Sequence, residues 1–199
     1  LNGKELDFIK TTPLRGMEGV REATIDLGEG AVLVGSPNPY DYDKVDWAPA
    51  FIAAENAENI AITGLGVIDG NGREVANNFL AQVAAGFIKD PLKLGRVADR
   101  PHGILLVNCK NVLVEGINVR SAACWTFTVD RCTNLHINKV TVDSRAFWNN
   151  DGIDVVDCKD AVIENCFVNA ADDGICLKSH KAQYCDDNII VRNNVITSS

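Results

Sequence analysis

Two short segments carry the acids that could do chemistry. Asn149-Asn150-Asp151-Gly152-Ile153-Asp154 and Asp172-Asp173-Gly174-Ile175 each contain Asp-Gly-Ile, 22 residues apart, and each opens a short apolar run. Cleaving a glycosidic bond takes one carboxylic acid to protonate the leaving oxygen and one carboxylate on the other face. Inverting enzymes hold the two about 6.5–9.5 Å apart, with a water between. Asp151, Asp172 and Asp173 on neighbouring strands can supply that spacing, and repulsion among them would keep one protonated near neutral pH. Trp125 offers an apolar face for a sugar ring, and Lys178 a cation for a carboxylate. The same acids also fit a solvated acidic stripe or a calcium site, and spacing alone leaves those readings open.

For the acids to meet, their segments must lie side by side. Cys109, Cys132 and Cys158 each stand two residues before an Asn or Asp that recurs along the chain, and counting back seven from each gives His102, Trp125 and Asp151. The shared Gly-Ile places Asp173 next in that column. On stacked parallel strands such neighbours are about 4.8 Å apart. Strict alternation would turn Asp151 inward with Ile153 and Val155, and a buried unpaired carboxylate is costly. The column is therefore expected on a bend at the strand entry, eased by Gly103, Gly152 and Gly174.

The recurring unit is Asn59-Ile60-Ala61-Ile62, Asn111-Val112-Leu113-Val114, Asn134-Leu135-His136-Ile137, Asp160-Ala161-Val162-Ile163 and Asn188-Ile189-Ile190-Val191. Apolar residues follow at +1 and +3 and again at +6 and +8, as in Ile117 with Val119 and Val140 with Val142. This is strand alternation, a bend, then alternation again. From Asn111 the copies are 23, 26 and 28 residues apart, and the 52-residue gap before it holds one turn plus an insertion. A unit of this length built from strands and turns predicts an all-β chain, a right-handed parallel β-helix in which each repeat is one coil. Leucine-rich repeats need a leucine framework that is missing, and a sandwich would not keep one phase through the copies. The repeated Asn is expected to stack as a ladder at a turn.

The chain reads as one β-helix domain over residues 1–199, incomplete at its C-terminal end, with an inserted helix and loop at 71–100. Before the first repeat, Thr24–Leu27 and Ala31–Val34 flank a Gly-rich turn and read as two strands, and residues 36–49, with three prolines, read as loop. Within the insertion Val75, Phe79, Val83 and Phe87 recur every four residues and predict a short amphipathic helix near residues 73–86. Lys89, Lys93, Arg96 and Arg100 follow, either as a solvated loop or as a basic wall beside a cleft.

A net charge of −8 excludes nucleic acid as a partner and sits awkwardly with a polyanionic substrate unless positive charge is concentrated locally. No apolar run reaches the roughly 18 residues of a membrane span, so no membrane partner is expected. Seven cysteines without a CxxC pair indicate neither a zinc ribbon nor a closed disulfide framework; they read as buried free thiols. His136 falls at an outward position and reads as surface.

These residues resemble glycoside hydrolase family 28, the polygalacturonases and their relatives. Asn149-Asn150-Asp151-Gly152 is similar to that family's Asn-Thr-Asp-Gly motif, and Asp172-Asp173 with Ile175 and Lys178 to its Asp-Asp motif. Ile62 to Gly72, Arg100-Pro101 and Ser121 to Trp125 extend the likeness to about residues 23–199. The resemblance implies inverting, metal-independent hydrolysis of pectin-type chains, galacturonan or rhamnogalacturonan, with no cofactor. Asp172 would be the general acid, and Asp151 and Asp173 would together activate the water. Asn149, Lys178, Trp125 and His102 would contact the polysaccharide, His102 on the column alone. A secreted or periplasmic monomer is implied. The rival readings are a polysaccharide lyase and a non-catalytic carbohydrate-binding β-helix.

The departures are Asn150 where Thr is usual, Gly174 where many members have Cys, and Ala122-Ala123-Cys124 in place of a Pro-containing stretch. The family's Gly-His-Gly and Arg-x-Lys motifs would lie downstream of Ser199, and His180 comes too early to be the first of them. The sequence is therefore expected to be a portion of a longer enzyme, one that need not be active by itself.

Overall fold

The computed structural model describes residues 21–89 and 99–198, together with the backbone of a short strand, Glu5–Asp7. Its coils each place three strands in three parallel sheets, giving a right-handed parallel β-helix. The first sheet stacks Ala48–Glu55, His102–Val107, Phe127–Asp130, Ile153–Val156 and Ile175–Lys178. The second stacks Ala23–Leu27, Glu58–Gly64, Lys110–Glu115, Thr133–Asn138, Lys159–Glu164 and Asp187–Arg192. The third runs from Glu5–Asp7 through Val32–Val34, Val67–Asp69, Asn118–Arg120, Thr141–Ser144 and Phe167–Ala170 to Val195–Ser198.

Alternation within each strand builds the core. Ile104, Phe127, Val129, Ile153 and Val155 of the first sheet face Ile60, Val112, Leu135 and Ile163 of the second and Ile68, Val119, Val142 and Val168 of the third, all buried in one cluster. Cys109, Cys132 and Cys158 stack in this core as free thiols, each in the short link from the first sheet to the second.

The repeated Asn is found inside the second-sheet strands rather than at a plain turn. Asn59, Asn111, Asn134, Asp160 and Asn188 all take left-handed backbone, φ 53 to 57°. The pairing steps over them, joining Thr133 to Lys159 and Leu135 to Ala161. Asn is the non-glycine residue best suited to this conformation. Asn134 Nδ2 donates to Asn111 Oδ1, and Asn111 Nδ2 to Asn59 Oδ1, both at 2.9 Å. Asn188 Nδ2 donates to Asp160 Oδ1 at 2.7 Å. A carboxylate has no proton to pass on, so the ladder has no donor from Asp160 to Asn134.

Three sequence expectations need adjustment. Residues 36–49 are not simply loop: after a 3-10 turn at Pro39–Asp41, Lys44–Val45 pairs antiparallel with Ala48–Pro49 as a tight hairpin, because Ala48 already opens the first-sheet strand. The predicted helix is present as Gly72–Ala84, closer to the preceding strand, since Gly72 N–H donates 2.6 Å to Ser121 O. Lys93 and Arg96 of the suggested basic wall lie outside the described residues. Arg100 is no part of such a wall; it is 1% exposed.

Candidate active site

The strand register places the column as the repeat predicts. Ile104, Phe127, Ile153 and Ile175 pair across the first sheet, so His102, Trp125, Asp151 and Asp173 stand two residues before paired positions. Thr126 N–H donates to Asp151 O at 3.0 Å, and Gly152 N–H to Asp173 O at 2.8 Å. The bend at strand entry has a specific cause. A Cβ on Gly152 would stand 2.3 Å from Val168 Cγ1, and one on Gly174 2.3 Å from Ile196 Cγ2. Both glycines thus face the third sheet immediately before an inward isoleucine. Two successive inward positions break the alternation and leave Asp151 and Asp173 on the outer face.

Asp151, 3% exposed, and Asp154, fully buried, share one cation. Lys178 Nζ is 2.5 Å from Asp151 Oδ2 and 2.7 Å from Asp154 Oδ1, the second at an angle too poor for a hydrogen bond. The same ammonium stands 3.7 Å from the centroid of Trp125. Burial pushes the Asp154 carboxyl up to about 8, Asp151 adds to that rise, and Lys178 opposes it. Burial also raises Asp151, against the pull of Lys178. Burial alone would draw the Lys178 ammonium down, yet Asp154 and Asp151 outweigh it and raise its pKa. Lys178 is thus offset by its own carboxylate partners, and the trio carries no net positive charge toward a polyanion.

Asp173 is exposed, and its carboxylate, that of Asp151 and the Cys176 thiol bring one atom each to within 4.8 Å of one another. This is the one group of three or more such side chains among the described residues that could hold a cation. The Lys178 ammonium already lies against it. Asp172, half-buried, is met by Asn149, whose Nδ2 is 3.4 Å from Asp172 Oδ2. Asn149 is itself set by Arg100: Nη2 donates to Asn149 Oδ1, and Nη1 to Trp148 O and Ala123 O, each at 2.7 Å. Asn150, which stands where Thr was expected, is fully buried and ties the loop down. Its Nδ2 donates to Ala122 O and Cys124 O, and its Oδ1 accepts from Phe147 N–H.

The structure therefore brings Asp151, Asp172, Asp173, Asn149 and Lys178 to one place, and treats the aromatic part of the column differently. His102 is 1% exposed, beneath the rings of Trp47 and Trp125 at 5.0 and 5.5 Å, with Nδ1 2.9 Å from Thr128 Oγ1. It is too deep to touch a substrate directly. Burial, then Arg100, Lys178 and His180, lowers its pKa to about 3, so the ring is neutral. Trp125 has Lys178 and the stacked His180 ring, 5.9 Å away at 29°, against it, so its face is not open to a sugar.

Three residues of the cluster were missed as site groups. Asp154 lies inside the quoted acidic motif, and its three-residue offset from Asp151 was the available signal. Trp47 and His180 come from a proline-rich stretch and a strand exit, where no periodicity marks them. Trp47 Nε1 donates to Asp130 Oδ2 at 3.0 Å, and His180 N–H donates to Asp157 Oδ2 at 3.0 Å.

Over 142 residues the chain is 29% identical to a probable exopolygalacturonase B of Neosartorya fischeri, covering 68% of this chain and 29% of that one. Over 145 residues it is 30% identical to a polygalacturonase of Arabidopsis thaliana, covering 71% and 30%. The chain thus spans under a third of the length of these curated relatives. The structure of the family 28 exopolygalacturonase of Yersinia enterocolitica superposes with a TM-score of 0.75 at 24% identity, covering 88% of this chain and 40% of that one, a likeness of fold. The model of the glycosyl hydrolases family 28 matches residues 16–198, and the chain belongs to that family.

Proposed function

We propose that the protein hydrolyses glycosidic bonds in pectin-type polysaccharides, galacturonan or rhamnogalacturonan, by single displacement with inversion. The observation that carries this reading is the gathering of the three acids. Asp151 and Asp173 lie within 4.8 Å of each other, Asp172 is near enough to add to the rise of the Asp151 pKa, and Asn149 meets Asp172. A water held between Asp151 and Asp173 can be deprotonated as it attacks the anomeric carbon. Asp172 protonates the departing glycosidic oxygen. Lys178 keeps Asp151 ionised for that task, and Asn149, held by Arg100, aims Asp172. The polygalacturonases among the relatives favour a uronate polymer. A pectic substrate puts the site of action outside the cytoplasm.

The decisive variant is Asp172→Asn. Loss of the general acid lowers reducing-sugar release by about 10²- to 10⁴-fold, while circular dichroism and the unfolding midpoint stay close to wild type. Retained activity would overturn the assignment. The same assay run in EDTA separates the lyase, which would leave an unsaturated product absorbing in the near ultraviolet. Tight binding of pectic oligomers by the wild type without turnover would favour a binding module.

A further inference from the structure

The loop that carries Asn149 is longer than the loops above and below it on the coil. Ser144 pairs with Ala170 across the third sheet, and six residues, 145–150, then lead to Asp151, whereas only Ala171 and Asp172 lead from Ala170 to Asp173. On the preceding coil Arg120 pairs with Asp143, so Ser121 lies level with Ser144, and three residues, 122–124, lead to Trp125. Strands stacked at a fixed spacing leave the extra chain nowhere to go but outward. The residues that project there, beside the acids, include Phe147 and Trp148.

Buried groups hold this loop in place. Arg100 donates to Trp148 O and lies over the Phe147 ring, 5.5 Å from its centroid. Asn150 accepts from Phe147 N–H and ties down to Ala122 O and Cys124 O. With its carbonyl turned in to the buried Arg100, Trp148 keeps its indole outside: it is 54% exposed and belongs to neither hydrophobic cluster. Its one ring neighbour among the described residues is Phe147, at 4.8 Å and 45°. An indole that shields no core, on a backbone fixed by a buried guanidinium, is ordered in advance for a ligand, so binding costs little further entropy. The next residue, Asn149, reaches Asp172, which sets the indole at the rim of the acid site.

We propose that Trp148 is a stacking platform for a sugar ring of the polysaccharide, at the rim of the site beside Asp172. The inference rests on the pectin-hydrolase reading and adds a substrate contact to it. The open aromatic face that Trp125 lacks is supplied here. A pyranose lays its C–H face on an indole through dispersion and shared desolvation, and a uronate so placed keeps its carboxylate at the ring edge, in water. Such a contact needs no counter-charge, which suits a chain of net charge −8 acting on a polyanion.

The test uses the full-length protein with a galacturonate hexamer and a rhamnogalacturonan oligomer of similar length, whichever binds more tightly. In Asp172→Asn protein, binding is expected to blue-shift the tryptophan emission. Trp148→Ala in that background is expected to remove the shift and weaken Kd about tenfold, roughly 1.4 kcal/mol. With Asp172 intact, Trp148→Ala is expected to raise KM by a similar factor while kcat stays close to wild type, and Trp148→Tyr to recover most of the loss. An unchanged Kd, or an emission shift that survives Trp148→Ala, would overturn the platform alone. So would a fall in kcat at unchanged KM, which makes Trp148 a support for Asn149 rather than a sugar contact. If neither oligomer is bound by Asp172→Asn protein or cleaved by the wild type, the substrate reading falls and the platform with it.

Discussion

Lys178 Nζ lies 2.5 Å from Asp151 Oδ2 while standing 3.7 Å above the Trp125 ring, so one ammonium serves two rungs of the coil. It also lies against the Asp154 carboxyl, which burial and Asp151 keep protonated to about pH 8. Lys178→Met would strand the Asp151 carboxylate. Because Lys178 lowers the pKa of Asp151, its removal is expected to move the acid limb of the kcat/KM profile to higher pH. Breaking a buried pair costs about 3–5 kcal/mol, and with Lys178 22% exposed about 2–3 kcal/mol is expected. Denaturant titration and a pH–rate profile check the two effects separately.

Asp154 makes stability depend on pH in a defined window. Its folded carboxyl keeps a proton to about pH 8 because of burial and the neighbouring Asp151, whereas an unfolded one loses it near pH 4. The folded state holds more protons between those values, so this contribution is complete below about pH 4 and is lost as the pH rises toward 8. Asp154→Asn is expected to flatten the fall in Tm across that interval. A parallel slope in both proteins would contradict the account.

Arg100 should not tolerate lysine. Its guanidinium serves Ala123 O, Trp148 O and Asn149 Oδ1 from one buried position, and an ammonium on a flexible stem cannot reproduce that fork. Arg100→Lys is expected to cost about 2–4 kcal/mol. It should also lower kcat by about tenfold, as a misplaced catalytic neighbour does, through release of Asn149 from Asp172. Thermal unfolding and steady-state kinetics give the two numbers.

The ladder offers a gain of stability. Asp160→Asn keeps a residue that accepts the 54° φ and supplies the missing donor toward Asn134 Oδ1. At this exposed position the gain is about 0.5–1.5 kcal/mol, read as a rise in the urea midpoint with unchanged slope.

What the sequence by itself determined is whatever depends on periodicity. Strand pairing on a parallel coil is a register, so repeats aligned on their cysteines were enough to put Trp125 beside Asp151, and the shared Gly-Ile put Asp173 on the other side of Asp151. The bend was legible too, since Gly152 and Gly174 recur at equal offsets, although the third-sheet side chains that demand glycine there were not. Tertiary structure alone decided how far side chains reach and what covers them. Lys178 could have pointed to solvent, and nothing local says that it folds back onto Asp151 and Asp154. Arg100 read as part of a basic wall because the acceptors that bury it lie 23 to 49 residues away. His102 and Trp125 kept their column but lost their open faces to Trp47 and His180. Those two approach from a hairpin and a strand exit, where contact is set by packing across coils and no repeat announces it.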